Sequence, residues 1–254
     1  MKQTAHLLCI NPKCGETYPI ASRQIKCEKC GFLLDVEYKE KPPAKLKEIF
    51  YQRRSRDSIY NESGVWRFRE LLNFAEIETD DLDQCAKFLV SLDGAEGRQS
   101  KPYHMSKVAN FVGISNDSLM LQPEGYNPSG SFKDNGMASA VTHAKMTGAK
   151  KIICASTGNT SASAGMFAAN ENMECDVYIP DGQIAPGKLS QAYQFGTQMV
   201  KVNGNFDDAF TKSLDAANEE GSYTVNSVNP FRIEGQKTIP LRAIEFLNWE
   251  VPDW

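Results

Sequence analysis

The chain has 254 residues, 41% of them hydrophobic, so it is long enough to bury a core as one large domain or two smaller ones. Its formal net charge of −4 argues against a nucleic-acid partner, which would favour a basic face, and no apolar run approaches membrane-spanning length. Residues 1–6 lack a signal or transit pattern, and an odd number of cysteines, seven, favours a reducing compartment, with the cytoplasm as the default.

Four of the seven cysteines lie in the first 30 residues, spaced C-x4-C and C-x2-C with 12 residues between the pairs: Cys9, Cys14, Cys27 and Cys30. A glycine follows the second cysteine of each pair and permits a tight turn. This spacing predicts a tetrahedral zinc site in a ribbon-like β module over residues 1–40, with a strand over 32–38. Four unrelated thiols are the alternative, and a ribbon held by its hairpins without metal is another.

The next segment, residues 41–102, is interpreted as a linker followed by helical and irregular structure. Lys41-Pro42-Pro43 breaks the preceding pattern, and residues 44–54 suit a charged helix. Trp66 and Phe68 are expected to be packing anchors. Residues 103–112 are predicted to be helical.

A lysine-bearing turn stands between a candidate strand at 118–122 and a candidate helix at 134–147. Residues 127–137 read Asn-Pro-Ser-Gly-Ser-Phe-Lys-Asp-Asn-Gly-Met, which places Lys133 at the helix start. The positive end of a helix disfavours a second cation and can lower a lysine pKa, and a neutral lysine can react with an aldehyde cofactor. A surface lysine in an ordinary Ser/Gly turn is the alternative.

A second strand–turn–helix unit follows at 151–172. The strand at 151–155 leads into Ser156-Thr157-Gly158-Asn159-Thr160-Ser161 and then a helix of small residues. Such a turn can present backbone N–H groups to an anion, although the Ser/Thr cluster could also simply cap its helix.

Alternation of strands and helices continues to the end of the chain. The remaining strand candidates are 175–179, 198–202 and 222–226, and the remaining helix candidates are 187–195, 205–220 and 233–248. This order predicts an α/β fold with an open, mainly parallel sheet over residues 103–254, with ligands at the carboxyl ends of the strands. Cys85, Cys154 and Cys175 are most simply core residues.

The sequence resembles the threonine synthase family, pyridoxal-phosphate enzymes of the tryptophan synthase β-like fold. The matching segments are 127–134, 156–163, Pro186-Gly187-Lys188-Leu189 and Ser227-Val228-Asn229-Pro230-Phe231-Arg232-Ile233-Glu234-Gly235-Gln236, together with the cysteine module and 64–68. The resemblance implies that O-phosphohomoserine and water are converted to threonine and phosphate. It further implies pyridoxal 5′-phosphate as cofactor, a structural Zn²⁺, and a homodimer as the assembly of the whole protein, with no nucleic-acid or membrane partner.

The resemblance also implies a role for individual residues. Lys133 would hold the cofactor covalently and move protons, and Asn159 would hydrogen-bond the cofactor's phenolic oxygen. Ser156, Thr157 and Thr160 would receive the substrate carboxylate. Lys188, Ser227, Asn229 and Arg232 would bind the substrate phosphate, Arg232 through its planar fork of donors. A solvated lysine at 188 and a turn held by ordinary hydrogen bonds at 227–232 are the alternatives.

Two departures from the family pattern qualify these roles. Where the family has a Glu-Gly-Asn-Thr-Pro-like stretch, this chain reads Glu96-Gly97-Arg98-Gln99-Ser100-Lys101-Pro102. The family's Gly/Asn-rich turn for the cofactor phosphate would follow Trp254. We therefore expect a fragment, truncated at its C-terminus and with an incomplete catalytic region, that is inactive or nearly so when expressed alone.

Two further interpretations stay open. Another enzyme of the same fold, such as a serine or threonine dehydratase or a sulfhydrylase, would share Lys133 but act on substrates without a comparable phosphate. A non-catalytic interaction protein would use the cysteine module as an adaptor.

Overall fold

Three short antiparallel strands form the N-terminal module: β1 (Ala5–Cys9), β2 (Thr17–Pro19) and β3 (Leu34–Tyr38), in the order β2-β1-β3. Side chains alternate between buried and more exposed along β1 and β3, as expected for strands with one covered face. The strand predicted over 32–38 is present as β3 at 34–38, and Leu33 just before it forms an isolated bridge with Lys26. The computed structural model describes residues 5–55, 59–72, 74, 102–182, 186–219 and 221–253.

Short helices connect this module to the rest of the chain. They are α1 (Leu46–Gln52), α2 (Ile59–Glu62) and two 3-10 segments, Arg53–Ser55 and Trp66–Leu71. Trp66 and Phe68 are fully buried, which confirms them as packing anchors. Cys85 and residues 96–101 lie outside the described residues.

A two-stranded antiparallel sheet corrects two of the sequence predictions. Residues predicted to begin a helix at 103 instead form β4 (Tyr103–His104), and the helix, α3, covers only Ser106–Val112. β5 (Met120–Leu121) pairs with β4, not with the main sheet. Tertiary contact decides which short extended segments pair with each other, and the local sequence does not show that contact.

The main sheet has four parallel strands in the order β8-β7-β6-β9, confirming an α/β fold with a parallel sheet. The strands are β6 (Lys151–Ala155), β7 (Glu174–Pro180), β8 (Gln198–Val202) and β9 (Ser222–Thr224). The centre of the sheet is apolar, with Cys154 and Cys175 both buried within it, as predicted for core cysteines.

Helices follow most strands of this half: α4 (Lys133–Met146), α5 (Asn159–Asn170), α6 (Pro186–Gln194), α7 (Phe206–Ala216), α8 (Pro230–Gln236) and α9 (Thr238–Phe246). The single helix predicted over 233–248 is wrong, because the chain forms two helices that meet at Lys237. Pro240 explains the break, since proline fits the first turn of a new helix but not the interior of a continuous one.

Helix α4 is the centre of the fold, because it is buried from Asp134 to Ala144. One hydrophobic cluster joins it to the main sheet and also to the N-terminal module, through residues such as Leu7, Leu34 and Val36. The division into regions at residues 40 and 102 stays a prediction. Within the described residues, no helix combines the length and apolar character needed to cross a membrane.

Candidate active site and metal centre

The turn before α4 is held by a buried carboxylate. Asp134 accepts hydrogen bonds from the Ser129 backbone N–H at 2.8 Å, from the Ser129 hydroxyl at 2.5 Å and from the Ser163 hydroxyl at 2.5 Å. Burial raises the pKa of Asp134, while these three donors favour its charged form. Since Ser163 lies on α5, Asp134 ties the start of α4 to the first turns of α5. Asp134 is a residue of this site that the sequence motif did not identify, although it stands beside Lys133.

Lys133 is the first residue of α4 and is only partly exposed. Its Nζ lies 3.8 Å from the ring centroid of Phe132. Burial lowers the pKa of Lys133, and the nearby positive charge of Arg232 lowers it further. The predicted direction of the Lys133 pKa shift is confirmed. Its causes, however, are burial and the charge of Arg232, whereas the sequence pattern predicted the positive end of the helix as the cause. An amine with these neighbours is more often neutral, and therefore more nucleophilic, than an ordinary lysine.

The second predicted loop opens α5. Asn159 is the first residue of the helix, and its Oδ1 is buried with no hydrogen-bond partner. No side chain caps the helix, so the capping alternative for the Ser/Thr cluster is wrong. Ser156, Thr157 and Thr160 are half-buried around this uncapped end. The Ser156 hydroxyl accepts from the Gly158 N–H at 3.1 Å, but no side chain caps the first-turn N–H groups of α5, and such an N-terminus favours an anion.

Arg232 is the other buried cation of the site. It is 2% exposed, and its Nη1 donates to the Val225 carbonyl at 3.2 Å, while its Nε has no partner. Burial lowers the pKa of Arg232 to about 10. A buried guanidinium with an unused donor is costly to the fold unless an anion pairs with it.

Two glycines bring Lys133 and Arg232 together. Gly136 lies one turn after Lys133 on α4, and Gly235 lies one turn after Arg232 on α8. A Cβ on Gly235 would stand 2.0 Å from the Asn135 carbonyl oxygen, and a Cβ on Gly136 would stand 2.9 Å from the Arg232 carbonyl oxygen. The backbones of the two helices therefore touch where only glycine fits.

The other three predicted phosphate ligands lie at the starts of α8 and α6. Asn229 is 2% exposed and caps α8, accepting from the backbone N–H groups of Phe231 and Arg232. Ser227 is exposed just before this cap, and Lys188 lies in the first turn of α6. Their roles stay predictions.

A buried polar network behind the site has no local sequence signal. Arg242 on α9 donates to Glu124 at 2.8 Å and to the Asn135 side-chain oxygen at 3.0 Å. Asn135 in turn donates to Glu124 at 3.0 Å and to the Phe132 carbonyl at 3.1 Å. Burial opposes ionisation of Glu124, but Arg242 and the hydrogen bonds outweigh it and lower its pKa. The network fixes the approach to the Lys133 turn.

The four predicted cysteines converge into one cluster. The sulfur atoms of Cys9, Cys14, Cys27 and Cys30 all lie within 4.8 Å of one another. Cys9 and Cys30 are 3.4 Å apart, and Cys14 and Cys27 are 3.7 Å apart. Four thiolates around one zinc at about 2.3 Å stand about 3.8 Å from each other, so the donor set fits that ion. The glycines after Cys14 and Cys30 have φ of 64° and 74°, as the predicted turns require.

Comparisons with known proteins show which family the chain is similar to. Residues 102–254 match the family described as "Pyridoxal-phosphate dependent enzyme". The chain is 40% identical over 242 residues to a threonine synthase of Methanocaldococcus jannaschii, a match that covers 95% of this chain and 54% of that protein. It is 57% identical over 130 residues to a threonine synthase of a Bacillus species, covering 51% of this chain and 37% of that protein.

Solved structures support the fold alone. The apo form of diaminopropionate ammonia lyase from Escherichia coli matches with a TM-score of 0.55 at 16% identity, over 67% of this chain and 52% of that one. Processed threonine deaminase isoform 2 from Solanum lycopersicum matches with a TM-score of 0.51 at 20% identity, over 65% of this chain and 46% of that one. The chain spans about half the length of two threonine synthases that it matches, those of Methanocaldococcus jannaschii and Methanosarcina acetivorans.

Proposed function

Because this chain belongs to the family of pyridoxal-phosphate dependent enzymes, we propose that the whole protein is a threonine synthase that converts O-phosphohomoserine and water to threonine and phosphate. One observation carries the proposal: a partly buried amine with a lowered pKa, Lys133, lies near a buried guanidinium with an unused donor, Arg232. The amine suits an aldehyde cofactor, and the guanidinium suits a phosphate-bearing substrate.

The residues present fit pyridoxal phosphate on the cofactor side. The buried, unpaired Oδ1 of Asn159 indicates a missing polar partner. A bound ring hydroxyl would donate to this oxygen, and a side-chain amide turned by 180° would instead donate to a phenolate. Asn159 is therefore the residue we assign to the phenolic oxygen, and Lys133 is the residue we assign to the aldehyde.

When bound, the cofactor would withdraw electrons from the α carbon of the substrate and then from its β carbon. The residues of this chain transfer protons and bind the substrate. Lys133 takes and returns protons at those carbons, for which its lowered pKa suits it. The uncapped start of α5, with Ser156, Thr157 and Thr160, receives the substrate carboxylate.

Arg232 holds the phosphate and offsets its charge as it leaves. Lys188, Ser227 and Asn229 complete the proposed phosphate site. For Asn229 the contribution is indirect, because its amide caps the helix that carries Arg232.

Replacing Arg232 by methionine tests the phosphate assignment. Because the guanidinium is buried and incompletely paired, we expect Arg232→Met to leave the free energy of unfolding unchanged or higher. We expect affinity for inorganic phosphate to fall about 10- to 100-fold, which corresponds to the loss of one charge-assisted hydrogen bond. Calorimetric titration with phosphate and chemical denaturation measure the two effects.

Arg242→Met is the matched control. Arg242 is also buried but is paired with Glu124, so its loss leaves that carboxylate without its counter-charge and should cost about 3–5 kcal/mol of stability. If Arg232→Met proved as destabilising as Arg242→Met and still bound phosphate, Arg232 would be structural. A dehydratase or sulfhydrylase would then be the better interpretation, to be separated by release of ammonia against release of phosphate.

We also propose that the four-cysteine cluster binds one structural zinc ion, as in a zinc ribbon. The support is the convergence of four sulfur atoms at distances that suit tetrahedral thiolate coordination. Cys27→Ser is expected to abolish zinc binding, measured as zinc content per chain after gel filtration. Cys175→Ser, which changes a buried thiol outside the cluster, should keep its zinc; equal zinc in both variants would contradict the site.

A further inference from the structure

His143 is a fully buried histidine that the proposed chemistry does not use. Its Nε2 lies 2.7 Å from the Ile20 carbonyl oxygen, and its Nδ1 lies 2.8 Å from the Tyr223 hydroxyl. A carbonyl only accepts, so Nε2 carries the proton and Nδ1 accepts from the tyrosine. The ring stacks on Phe231, with centroids 3.4 Å apart and an angle of 12° between the planes. His143 thus joins the N-terminal module to α4, to β9 and to the residue before Arg232.

A second bridge lies one turn further along α4. Arg23 donates through Nε to the Thr147 hydroxyl at 3.2 Å and through Nη2 to the Thr147 carbonyl. Thr147 is the C-cap of α4, where unpaired carbonyls and the negative end of the helix favour a cation. The module therefore supplies the capping charge for the helix that begins with Lys133.

A third bridge reaches α8. The Tyr38 hydroxyl at the end of β3 donates to the Glu234 carboxylate, which also accepts from Lys237. Glu234 is 5% exposed and lies two residues after Arg232. The module thus contacts both helices whose crossing brings Lys133 and Arg232 together.

Two of these bridges are made by residues that lie between the two cysteine pairs in the sequence. Ile20 and Arg23 lie between Cys14 and Cys27, which are the inner members of the two cysteine pairs. A metal held by both pairs closes this segment into a loop and removes most of its conformational freedom. A cavity of about 740 Å³ lies between residues 23–26 and the residues of α7 and β9. The polar bridges therefore stand beside a gap in the packing and add to the hydrophobic cluster that joins the module to α4.

We propose that metal binding at the four-cysteine cluster fixes the positions of α4 and α8, and through them the spacing of Lys133 and Arg232. His143 is the principal positioning residue of this connection. The functional meaning of the spacing rests on the proposed threonine synthase activity, whereas the connection from the cysteine cluster to the two helices rests only on the proposed zinc site.

Amide hydrogen exchange of the chain, followed by mass spectrometry with and without zinc, tests the connection. On removal of zinc by a chelator, we expect exchange protection to fall about tenfold or more in α4 and α8, as well as in residues 5–38. Protection of β8 should stay within twofold, because β8 lies at the far edge of the sheet. A loss of exchange protection confined to residues 5–38 would overturn the proposal. An equal loss of protection over the whole chain would also overturn it, because the module would then stabilise the whole fold and not α4 and α8 in particular.

A variant that lacks the hydrogen bonds of His143 but keeps its zinc distinguishes the effect of this bridge from the effect of the metal. His143→Phe keeps a ring on Phe231 but loses both hydrogen bonds, so α4 and α8 should lose about tenfold in protection while zinc content is unchanged. His104→Phe makes the same change at an exposed site and should exchange like the unaltered chain. Unaltered protection of α4 and α8 in His143→Phe would overturn the role of His143. None of these measurements needs cofactor or substrate, so a failure of the proposed function would not disturb them.

Discussion

Gly235→Ala is expected to lower the free energy of unfolding by about 3 kcal/mol, the upper part of the range for overpacking a core. The added Cβ would stand 2.0 Å from the Asn135 carbonyl oxygen and 2.9 Å from the Gly136 Cα. Both are backbone atoms, so no side-chain rotation relieves the contact and the two helices must separate. Separation moves Arg232 away from Lys133, and phosphate affinity should fall together with stability. Urea denaturation and phosphate titration measure the two effects.

Gly187→Ala is the matched control for this substitution. Gly187 lies in the first turn of α6, where an added Cβ meets no atom within 4 Å. Alanine there should be neutral, or stabilising by up to about 1 kcal/mol, because it removes freedom from the unfolded chain. Equal stability of the Gly235 and Gly187 variants would show that the close crossing of α4 and α8 is not what holds the site.

Lys133→Arg is expected to abolish threonine formation by the whole protein, with a loss of at least about 10³-fold in kcat. Arginine keeps the positive charge but does not become neutral in this pH range, so it can neither capture an aldehyde nor take a proton. Phosphate release from O-phosphohomoserine measures the loss.

Lys145→Arg is the control on the same helix. Lys145 pairs with Glu171 near the end of α4, and arginine preserves that pair. Its activity should stay within about threefold of the unaltered enzyme. A Lys133→Arg enzyme that still turned over at a comparable rate would remove Lys133 from the chemistry.

Local sequence patterns are sufficient to predict the strands of the main sheet and the turn that carries Lys133. The strands predicted at 151–155 and 198–202 have these bounds in the structure, because short apolar runs between turn signals leave few alternatives. The predicted helix start at 233 is three residues later than the observed start of α8 at Pro230. Asn229 followed by Pro230 is a recognisable start signal, because asparagine caps a helix and proline fits its first position.

Contacts between distant residues could not be predicted in this way. The Glu124–Arg242 pair spans 118 residues, and the bridge from Arg23 to Thr147 spans 124. The close crossing at Gly136 and Gly235 is visible only once two helices are placed. The resemblance named Arg232, but the unpaired Nε that supports a bound anion required the structure.

Mapping the captured amine tests the central claim most directly. The whole protein would be treated with pyridoxal phosphate at a series of pH values, reduced with borohydride, digested and analysed by peptide mass. We expect the adduct on Lys133, and we expect its yield to reach a plateau at lower pH than that of ordinary lysines, because the lowered pKa of Lys133 leaves it neutral sooner as pH rises. An adduct spread over surface lysines, with Lys133 unmodified, would contradict the account.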